Sequence, residues 1–469
     1  MTIGRRSLIA AGAGAFLAAG LPRSFAAARE LRLTAAPARA KLVGDRHPAT
    51  DVWAYNGAIP GPALRFRQGE RARIVVENRI AQPTSIHWHG LRVPNAMDGV
   101  PGLTQPPIAP GESFTYEFDL LDAGTYWYHP HANSAEQVGR GLAGAIIVEE
   151  LQPPAVDRDL LWVLDDWRLD REARIAGDFG HPHDASHAGR LGNTVTLNGA
   201  VPKSLEVRAG ERIRLRLVNV ANARIFGLRF EGHAPYVVAR DGQPVDPHPL
   251  RGEMVEIAPG ERCDLIVDMH GEPGERFSVI DRFYPQAAYV LAELTYAASA
   301  LRPRSPLPSP VKLVDNPWPR PDIARARRER IVIEGGMMGG FRGGRLDGQQ
   351  LDPRTLFQRG KMWALNGEVA GDHHQMAPLL TIRRNDSVVV ELVNDSVWHH
   401  PMHLHGMFFE VLSINGTKTP WREGRDTVTL APRGRAEVAF RADAPGDWMF
   451  HCHILEHQDS GLIGIIRVV

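Results

Sequence analysis

One pattern, written three times along the chain, constrains the fold more than any other feature. Each copy has an Asn-Gly pair and then a strand-like run that closes on Asn, at Asn78, Asn219 and Asn394. In the first two copies the run alternates Arg with apolar residues, which is typical of a sheet with one buried and one solvated face. The repeat therefore predicts three similar β domains.

A second landmark follows in every copy and sharpens the prediction. Ala-Pro-Gly occurs at 109–111 and 258–260, and Ala-Pro-Arg-Gly occurs at 431–434. Short strands separated by regular turn signals indicate Greek-key β-sandwiches or barrels. We expect an all-β protein whose domains span residues 29–151, 152–300 and 331–469, with a proline-rich linker at 301–330 that proline keeps extended.

Histidines fall on the repeat in register. Nine and eleven residues after the closing Asn, the first and third copies place His87, His89, His403 and His405. Five and seven residues after the later Gly at 124 or 446, the same copies place His129, His131, His451 and His453. The second copy has no histidine at these offsets. Histidine pairs suit a copper cluster, so we expect one between the first and third domains.

Cys452 lies between His451 and His453, on a segment that reads as a strand. Because strand side chains alternate between faces, the cysteine and the two histidines should serve different metal centres. Cysteine with imidazole is the ligand set of a mononuclear copper electron-transfer site. Only the third copy can complete it, with His400 and His457. Leu462, ten residues after Cys452, stands where Met would be the commoner weak ligand and cannot coordinate.

Two further groups of potential ligands lie off the register. His181, His183 and His187 occupy a Gly/Asp/Ser-rich stretch, for which a solvated loop is the expectation, and His373-His374 form an isolated pair. Met337-Met338, in a glycine-rich segment, could hold Cu(I) through thioethers, but ordinary loop packing is the simpler interpretation.

The charge balance of the chain and its N-terminal residues bear on its function and its cellular location. Basic and acidic residues balance at 54 each, which gives no support for nucleic-acid or membrane-surface binding. Arg5-Arg6 precede an apolar run and a small-residue segment at 26–28, a pattern that resembles a Tat export signal over residues 1–28. We expect an exported protein, periplasmic or secreted, with no stable membrane insertion; its oligomeric state stays open.

Taken together, these motifs resemble those of the multicopper oxidases, the family of laccases and bacterial cuprous oxidases. The resemblance covers the chain after residue 28 and implies cupredoxin-like domains. It rests on His87-Trp-His89-Gly, His129-Pro-His131, His400-Pro-Met-His403-Leu-His405-Gly and His451-Cys452-His453-x3-His457.

The resemblance implies four copper ions and a role for each ligand. A type 1 copper would be held by His400, Cys452 and His457, and a type 2 copper by His87 and His403. The type 3 pair would be held by the other six: His89, His129, His131, His405, His451 and His453. Substrates would give electrons singly at type 1, and the electrons would pass through Cys452 to the cluster, where O2 is reduced to water.

Two acidic positions bear on proton supply. Asp98 matches an acidic residue that the family carries near its cluster, and it is the candidate proton relay; a turn residue before Gly99 is the alternative. Cuprous oxidases of this family carry a second carboxylate directly after the last type 1 histidine. This chain has Gln458 at that position.

We therefore expect a laccase-like copper oxidoreductase that uses O2 to oxidise phenols, aromatic amines or metal ions. Leu462 and the absence of a Met-rich insertion favour this over a periplasmic cuprous oxidase in copper tolerance, the main alternative. A non-enzymatic periplasmic relative is less favoured, because all ligand positions are filled. A copper nitrite reductase is disfavoured, since the first copy lacks a Cys-His-His set.

Overall fold

The computed structural model describes residues 29–202, 204–250, 252–303, 307–371 and 376–469. The predicted export signal at 1–28 and the His373-His374 pair lie outside these ranges. Three β domains follow one another along the chain, as the repeat predicts, and each is a pair of packed sheets. The domain limits at 151, 300 and 330 remain predictions.

The first domain contains eight strands and two short helical segments. Its strands are β1 (Arg29–Ala40), β2 (Thr50–Tyr55), β3 (Gly61–Arg67), β4 (Arg71–Asn78), β5 (His87–His89), β6 (Ser113–Asp119), β7 (Gly124–His129) and β8 (Gly144–Glu149). A 3₁₀ turn spans Asn95–Met97, and helix α1 spans Ser134–Gly139. The two sheets have the strand orders β2-β1-β4-β6 and β3-β8-β7-β5.

The second domain repeats this plan with a larger pair of sheets. Its strands are β9 (Arg158–Trp167), β10 (Thr194–Leu197), β11 (Leu205–Val207), β12 (Arg212–Asn219), β13 (Phe226–Phe230), β14 (Tyr236–Arg240), β15 (Gln243–Pro249), β16 (Val255–Ile257), β17 (Arg262–Asp268), β18 (Arg276–Asp281) and β19 (Tyr289–Tyr296). Helix α2 spans Pro182–Ser186, and a 3₁₀ turn spans Pro285–Ala287. The sheet orders are β10-β9-β12-β17-β14-β15 and β11-β19-β18-β13-β16.

The third domain has the same two layers and an added hairpin. Its strands are β20 (Arg327–Gly335), β21 (Gly344–Leu346), β22 (Gln349–Leu351), β23 (Trp363–Leu365), β24 (Leu380–Ile382), β25 (Ser387–Asp395), β26 (His400–Leu404), β27 (Phe409–Ile414), β28 (Thr417–Arg425), β29 (Thr427–Leu430), β30 (Arg435–Arg441), β31 (Gly446–Cys452) and β32 (Ile463–Val468). Helices α3 and α4 span Pro353–Gln358 and Leu455–Asp459. The main sheets have the orders β23-β20-β25-β30-β27-β28 and β24-β32-β31-β26-β29.

The closing Asn of each repeat has the same structural task in all three domains. The side chain of Asn219 donates to the carbonyls of Arg224 and Ile257 (2.8 and 2.9 Å) and accepts from the amide of Ala221 (3.0 Å). Asn78 and Asn394 make the corresponding sets of bonds. A buried side-chain amide that bonds three backbone groups is hard to replace. This explains why Asn occurs at the same position of each copy.

The first residue of each Asn-Gly pair is explained in the same way. Asn56, Asn198 and Asn366 have φ values of 54°, 52° and 50°, in the left-handed region that Asn tolerates better than most residues. Their side chains bond the backbone of the adjacent strand, as in the 2.7 Å bond from the amide of Thr34 to Asn56. The turn and the start of the sheet are therefore set by one side chain.

Each domain buries its own apolar core between its two sheets. The proline-rich segment after residue 306 crosses the seam of the first two domains, where Asn316 bonds both backbone groups of Ala123 and the side chain of Gln243. Within the described ranges, no helix combines the length and the apolar character needed to cross a membrane.

Replacing Asn219 with Ala should lower the free energy of unfolding of the copper-free protein by about 3 kcal/mol, because three buried backbone groups lose their partner. The measurement is urea denaturation followed by circular dichroism. Asn415→Ala is the control, since its side chain accepts a single bond at an exposed turn (from the amide of Arg435, 2.9 Å) and should cost about 1 kcal/mol. Equal losses would contradict this role for the repeat Asn.

Candidate metal centres

Eight histidines from the first and third domains meet at the interface between those domains. Strand pairing brings His87 opposite His129 in the first domain and His403 opposite His451 in the third. The eight imidazoles are almost wholly excluded from solvent: His87, His89, His129, His131, His403, His405, His451 and His453. The corresponding strands of the second domain pair Leu228 with Asp281 and Phe230 with Val279, so that domain contributes no imidazole here.

The histidines sort into three groups, each with ligand atoms within 4.8 Å of one another. The groups are His87 with His89 and His403, His89 with His129 and His453, and His131 with His405 and His451. Every group draws two ligands from one domain and one from the other: the first domain supplies two ligands in two of the groups, and the third domain supplies two in the remaining group. The cluster can therefore form only when the two domains are docked.

Hydrogen bonds on one ring nitrogen decide which nitrogen faces the cluster. Nδ1 of His87 donates to the carbonyl of Asp98 (2.8 Å), and Nδ1 of His403 donates to the carbonyl of Asp426 (2.9 Å). Nδ1 of His451 donates to the carbonyl of Cys452 (2.9 Å). Each of these rings presents Nε2 to its neighbours. His89 is reversed, because its Nε2 faces Oδ1 of Asp426 (3.1 Å).

Several buried ring nitrogens face the cluster with no hydrogen-bond partner among the described residues. They include Nδ1 of His89 and Nε2 of His129, His131 and His453. A buried polar atom without a partner costs free energy of about 1–3 kcal/mol. Convergence of four such lone pairs fits a metal cluster, and an all-imidazole donor set suits copper.

A second centre lies on the other face of the same strand. Sγ of Cys452 is 3.5 Å from Nδ1 of His400 and 3.7 Å from Nδ1 of His457, and the two nitrogens are 3.3 Å apart. The middle of this triangle is about 2 Å from each atom, an ordinary metal–ligand distance. Thiol and imidazoles in a trigonal array match a blue-copper site.

The second centre is closed by groups from elsewhere in the chain. Nε2 of His400 bonds the hydroxyl of Ser396 (2.9 Å), which turns Nδ1 toward Cys452. Nε2 of His457 donates to the carbonyl of His187 (2.7 Å), in the second domain. Trp363 packs on both imidazoles. Leu462 is fully buried in the same core cluster as Cys452, and its carbonyl accepts from the amide of Cys452 (3.2 Å).

Alternation along β31 separates the two centres by single residues. His451 contacts His405, and His453 packs on His89 and His129, whereas Cys452 faces His400 and His457. Two cluster histidines, His451 and His453, are thus the covalent neighbours of Cys452. This arrangement gives an electron a short covalent route between the centres.

Asp98 lies at the cluster and in a turn at once. Its Oδ2 accepts a bond from Nδ1 of His405 (2.8 Å), and its side chain is fully buried. Gly99 follows with φ of 86°, where a Cβ would lie 1.7 Å from the carbonyl oxygen of Ile86. Asp98 is therefore both a turn residue and a hydrogen-bond partner of a cluster histidine, and its role as a proton relay stays a prediction.

Gln458 lies on the far side of α4, toward the first domain. Its side-chain nitrogen donates to the hydroxyl of Ser134 (3.1 Å), close after His131 in the chain. The next residue, Asp459, accepts a bond from the amide of Ala135 (3.2 Å).

The segment that carries His181, His183 and His187 is not the solvated loop that the sequence suggested. It forms α2, and its backbone is bonded to the third domain: the carbonyl of Ala185 accepts from Trp363 (2.7 Å) and that of Ser186 from the amide of Met337 (2.8 Å). Of its three histidines, His181 and His183 are exposed and His187 is half-buried. The segment covers the Cys452 centre.

Sequence reasoning missed the residues that support the ligands from a distance in the chain. Asp426, Ser396 and Trp363 have no motif or repeat offset that distinguishes them, and His187 acts through its backbone carbonyl rather than through the imidazole that the sequence drew attention to. Trp363 even has a counterpart, Trp53, in the first copy. Their roles come from the docking of domains, which local sequence patterns do not encode.

Burial holds most of these imidazoles neutral. It lowers the pKa of His457 to about 3, and burial together with neighbouring imidazoles lowers the pKa of His89, His129, His131, His405, His451 and His453. A neutral imidazole keeps the lone pair that a metal needs. Burial raises the pKa of the Cys452 thiol, so metal binding must displace a proton there.

Comparisons with known proteins agree with this geometry. Three family profiles, each described as Multicopper oxidase, match residues 38–153, 159–303 and 349–469. A crystal structure of a multi-copper oxidase from Pseudomonas thermotolerans is 34% identical, with a TM-score of 0.82 over 95% of this chain and 100% of that one.

Two curated relatives have informative names. Laccase-1 of Botryotinia fuckeliana is 30% identical over 445 residues, covering 87% of this chain and 77% of its own. Copper resistance protein A of Escherichia coli is 26% identical over 569 residues, covering 93% of this chain and 92% of its own.

The chain therefore belongs to the multicopper oxidase family. It is a copper-dependent oxidoreductase that takes electrons from a reducing substrate and uses O2 as the acceptor.

The copper-free protein should lose stability as the pH falls below about 6.5, the ordinary histidine pKa. The unfolded chain takes up protons there while the buried imidazoles, whose pKa is lowered, do not. Each such imidazole costs about 1.4 kcal/mol per pH unit until its folded pKa is reached, for His457 about 3. Thermal unfolding between pH 8 and 5 measures the effect, and a flat profile would contradict the buried, neutral state.

Proposed function

We propose that this protein is a laccase-type oxidase that couples one-electron oxidation of phenols, aromatic amines or metal ions to the four-electron reduction of O2 to water. The observation that carries the proposal is that three consecutive residues, at the end of β31 and just after it, serve two centres. Cys452 faces a site fit for one copper, while His451 and His453 face a cluster. Reduction of O2 takes four electrons, whereas each donor gives one. An enzyme that couples the two therefore needs one site for electron uptake and another for O2 reduction.

Four coppers per chain would occupy these sites. His400, Cys452 and His457 would hold the type 1 ion, and His87 and His403 the type 2 ion. The remaining cluster histidines would hold the type 3 pair. When bound, copper supplies one-electron redox steps at the first site and O2 binding at the cluster.

The chain's own residues would supply protons and exclude water. Asp98, bonded to His405 through Oδ2, would hold a proton beside the cluster and pass it inward. Gln458 cannot do this, since its side-chain amide does not ionise near neutral pH. The buried imidazole shell and the packed domain interface keep bulk water from the ligands.

The reductant would dock on α2 and Trp398 and would not touch His457 directly. His457 is fully buried and its Nε2 is bonded to the carbonyl of His187. A surface pocket of about 480 Å³ lies outside this bond and is lined by His183, His187 and Trp398. The rings of His183 and His187 stack (centroids 4.1 Å apart), and Trp398 meets His187 edge-on (5.1 Å). An aromatic substrate suits such a surface.

A cuprous oxidase is the second candidate. Met337 and Met338 are 43% and 79% exposed, and the backbone of Met337 bonds both Ser186 and Trp398 beside the same pocket. Thioethers next to imidazoles suit Cu(I), and one relative is named as a copper resistance protein. Export through the Tat pathway to the periplasm or the medium would suit either activity and rests on residues 1–28.

Copper-loaded protein should be blue, and Cys452→Ser should lose the colour and the O2 uptake while it keeps its fold. Sulfur-to-copper bonding gives a type 1 site its colour, and Cys452 is the thiol at this site. Visible and EPR spectra and O2 uptake with a phenol are the measurements. Cys263→Ser is the control, since Cys263 is buried in the core of the second domain. A colourless wild type without O2 uptake would refute the proposal.

Comparison of reductants separates the two candidates. A laccase-type enzyme should consume O2 with a phenol as well as with Cu(I), whereas a cuprous oxidase should respond to Cu(I) alone. Met337→Leu with Met338→Leu should leave phenol turnover unchanged. A large loss with Cu(I) only would transfer the assignment to the second candidate.

Trp398→Ala should raise KM for a phenol about 3- to 10-fold, because loss of one aromatic contact is worth about 0.5–1.5 kcal/mol. The visible spectrum should not change, since Trp398 does not touch Cys452. Trp421→Ala is the matched control: Trp421 stacks on His248 (centroids 3.7 Å apart) in another part of the surface. Unchanged KM for Trp398→Ala would place the reductant elsewhere.

A further inference from the structure

The second domain, which supplies no histidine to the cluster, places a cation beside it. Arg262 is fully buried, and its guanidinium donates to both carboxylate oxygens of Asp426 in the third domain (2.8 and 2.5 Å). It also donates to the carbonyl of Thr125 in the first domain (3.2 Å) and to the carbonyls of Asp241 and Gly260 in its own (3.0 Å each). One side chain therefore bonds all three domains.

The partner of Arg262 touches two cluster histidines. Oδ1 of Asp426 lies 3.1 Å from Nε2 of His89 and 3.3 Å from Nδ1 of His403, and its backbone carbonyl accepts from that Nδ1 (2.9 Å). The hydroxyl of Thr427 also donates to Oδ1 (2.8 Å). These contacts form together in only one orientation of the Asp426 carboxylate.

His89 depends on that orientation more than its neighbours do. A carboxylate accepts hydrogen bonds only, so Asp426 requires the proton of His89 to be on Nε2. Nδ1, which has no hydrogen-bond partner within the described ranges, is then the lone pair that faces the cluster. His87, His403 and His451 obtain their tautomers from nearby backbone carbonyls, whereas His89 obtains its tautomer from a side chain that could rotate.

Two glycines make room for this arrangement. A Cβ on Gly90 would lie 2.2 Å from Nη2 of Arg262 and 2.6 Å from Oδ2 of Asp426. A Cβ on Gly260 would lie 2.8 Å from the ring of His453 and 3.1 Å from that of His89. Both have positive φ, at 84°. The backbone of the first and second domains thus fits closely around the ion pair and around the ligands.

The charges favour a carboxylate that stays ionised. Burial by itself raises the pKa of Asp426, but the charge and hydrogen bonds of Arg262 outweigh it and hold that pKa well below the usual range. Asp241 also faces the guanidinium, and its Oδ2 accepts from the amide of Thr427 (3.2 Å). Burial and the nearby Asp426 raise the pKa of Asp241.

We propose that Arg262 is a positioning residue for the cluster: it holds the Asp426 carboxylate against Nε2–H of His89 and so keeps Nδ1 of His89 directed at the metal. The inference rests on the proposed ligand set. Supporting groups behind metal ligands commonly change metal affinity about 10- to 100-fold. The copper-free second domain would then take a direct part in building the cluster.

The competing explanation is that Arg262 only ties the domains together. Arg214 is the matched control for this purpose, because it is equally buried in the second domain and bonds Asp264 and Glu150 (2.7 Å each) away from any cluster histidine. Its change to Lys should cost stability through a broken buried ion pair without changing the cluster.

Arg262→Lys and Arg214→Lys should be loaded with copper beside the wild type. For Arg262→Lys we expect cluster copper to be lost to a chelator about 10- to 100-fold faster and the cluster EPR signal to shift, with the blue type 1 absorbance retained. Arg214→Lys should keep wild-type copper retention and EPR. If Arg262→Lys is destabilised like Arg214→Lys but has an unchanged cluster signal, Arg262 is purely structural and the proposal is wrong.

Asp426→Asn gives an independent test that does not depend on the guanidinium. An amide can rotate and offer a donor to Nε2 of His89, so the cluster EPR signal should shift in the same direction as for Arg262→Lys. An unchanged signal would overturn the proposal even if Arg262→Lys fails to fold. A wild type that binds no cluster copper would instead refute the proposed function, so the two failures can be told apart.

Discussion

The structure depends on the burial of neutral imidazoles whose free nitrogens face one another. Such a cluster is costly on its own, because lone pairs converge without donors and protonation is opposed by burial. Bonds to the second ring nitrogen offset part of the cost by fixing the tautomer, as Asp98 does for His405. Copper would supply the remaining partners, which links metal binding to the docking of domains one and three.

Alternation along β31 and the residue that follows it would give the proposed electron path its geometry. Cys452 points to one centre and its two covalent neighbours point to the other, so no side-chain movement is needed to connect them. The equivalent positions around Pro130 in the first domain keep the cluster histidines and lack the thiol. In the proposed function, electrons would therefore enter through the third domain.

The described residues of the second domain supply no ligand to the two proposed centres, yet the domain touches both. The carbonyl of His187 accepts a hydrogen bond from Nε2 of His457. Arg262 bonds the carboxylate of Asp426, which contacts His89. In both cases the contact is made by a group that is unremarkable in the sequence: a backbone oxygen, and one of many arginines. A domain without ligands can thus influence where electrons enter and how firmly the cluster is held.

The sequence by itself determined the three-domain β architecture, because the repeated Asn residues bond the backbone in each copy. It also determined which histidines of one domain face the same way, because strand periodicity and repeat register are local properties. The tertiary structure decided which nitrogen of His89 faces the cluster, that α2 covers His457, and that Arg262 and Asp426 meet. Those features join residues far apart in the chain, and only the packing of one domain on another brings them within hydrogen-bonding distance.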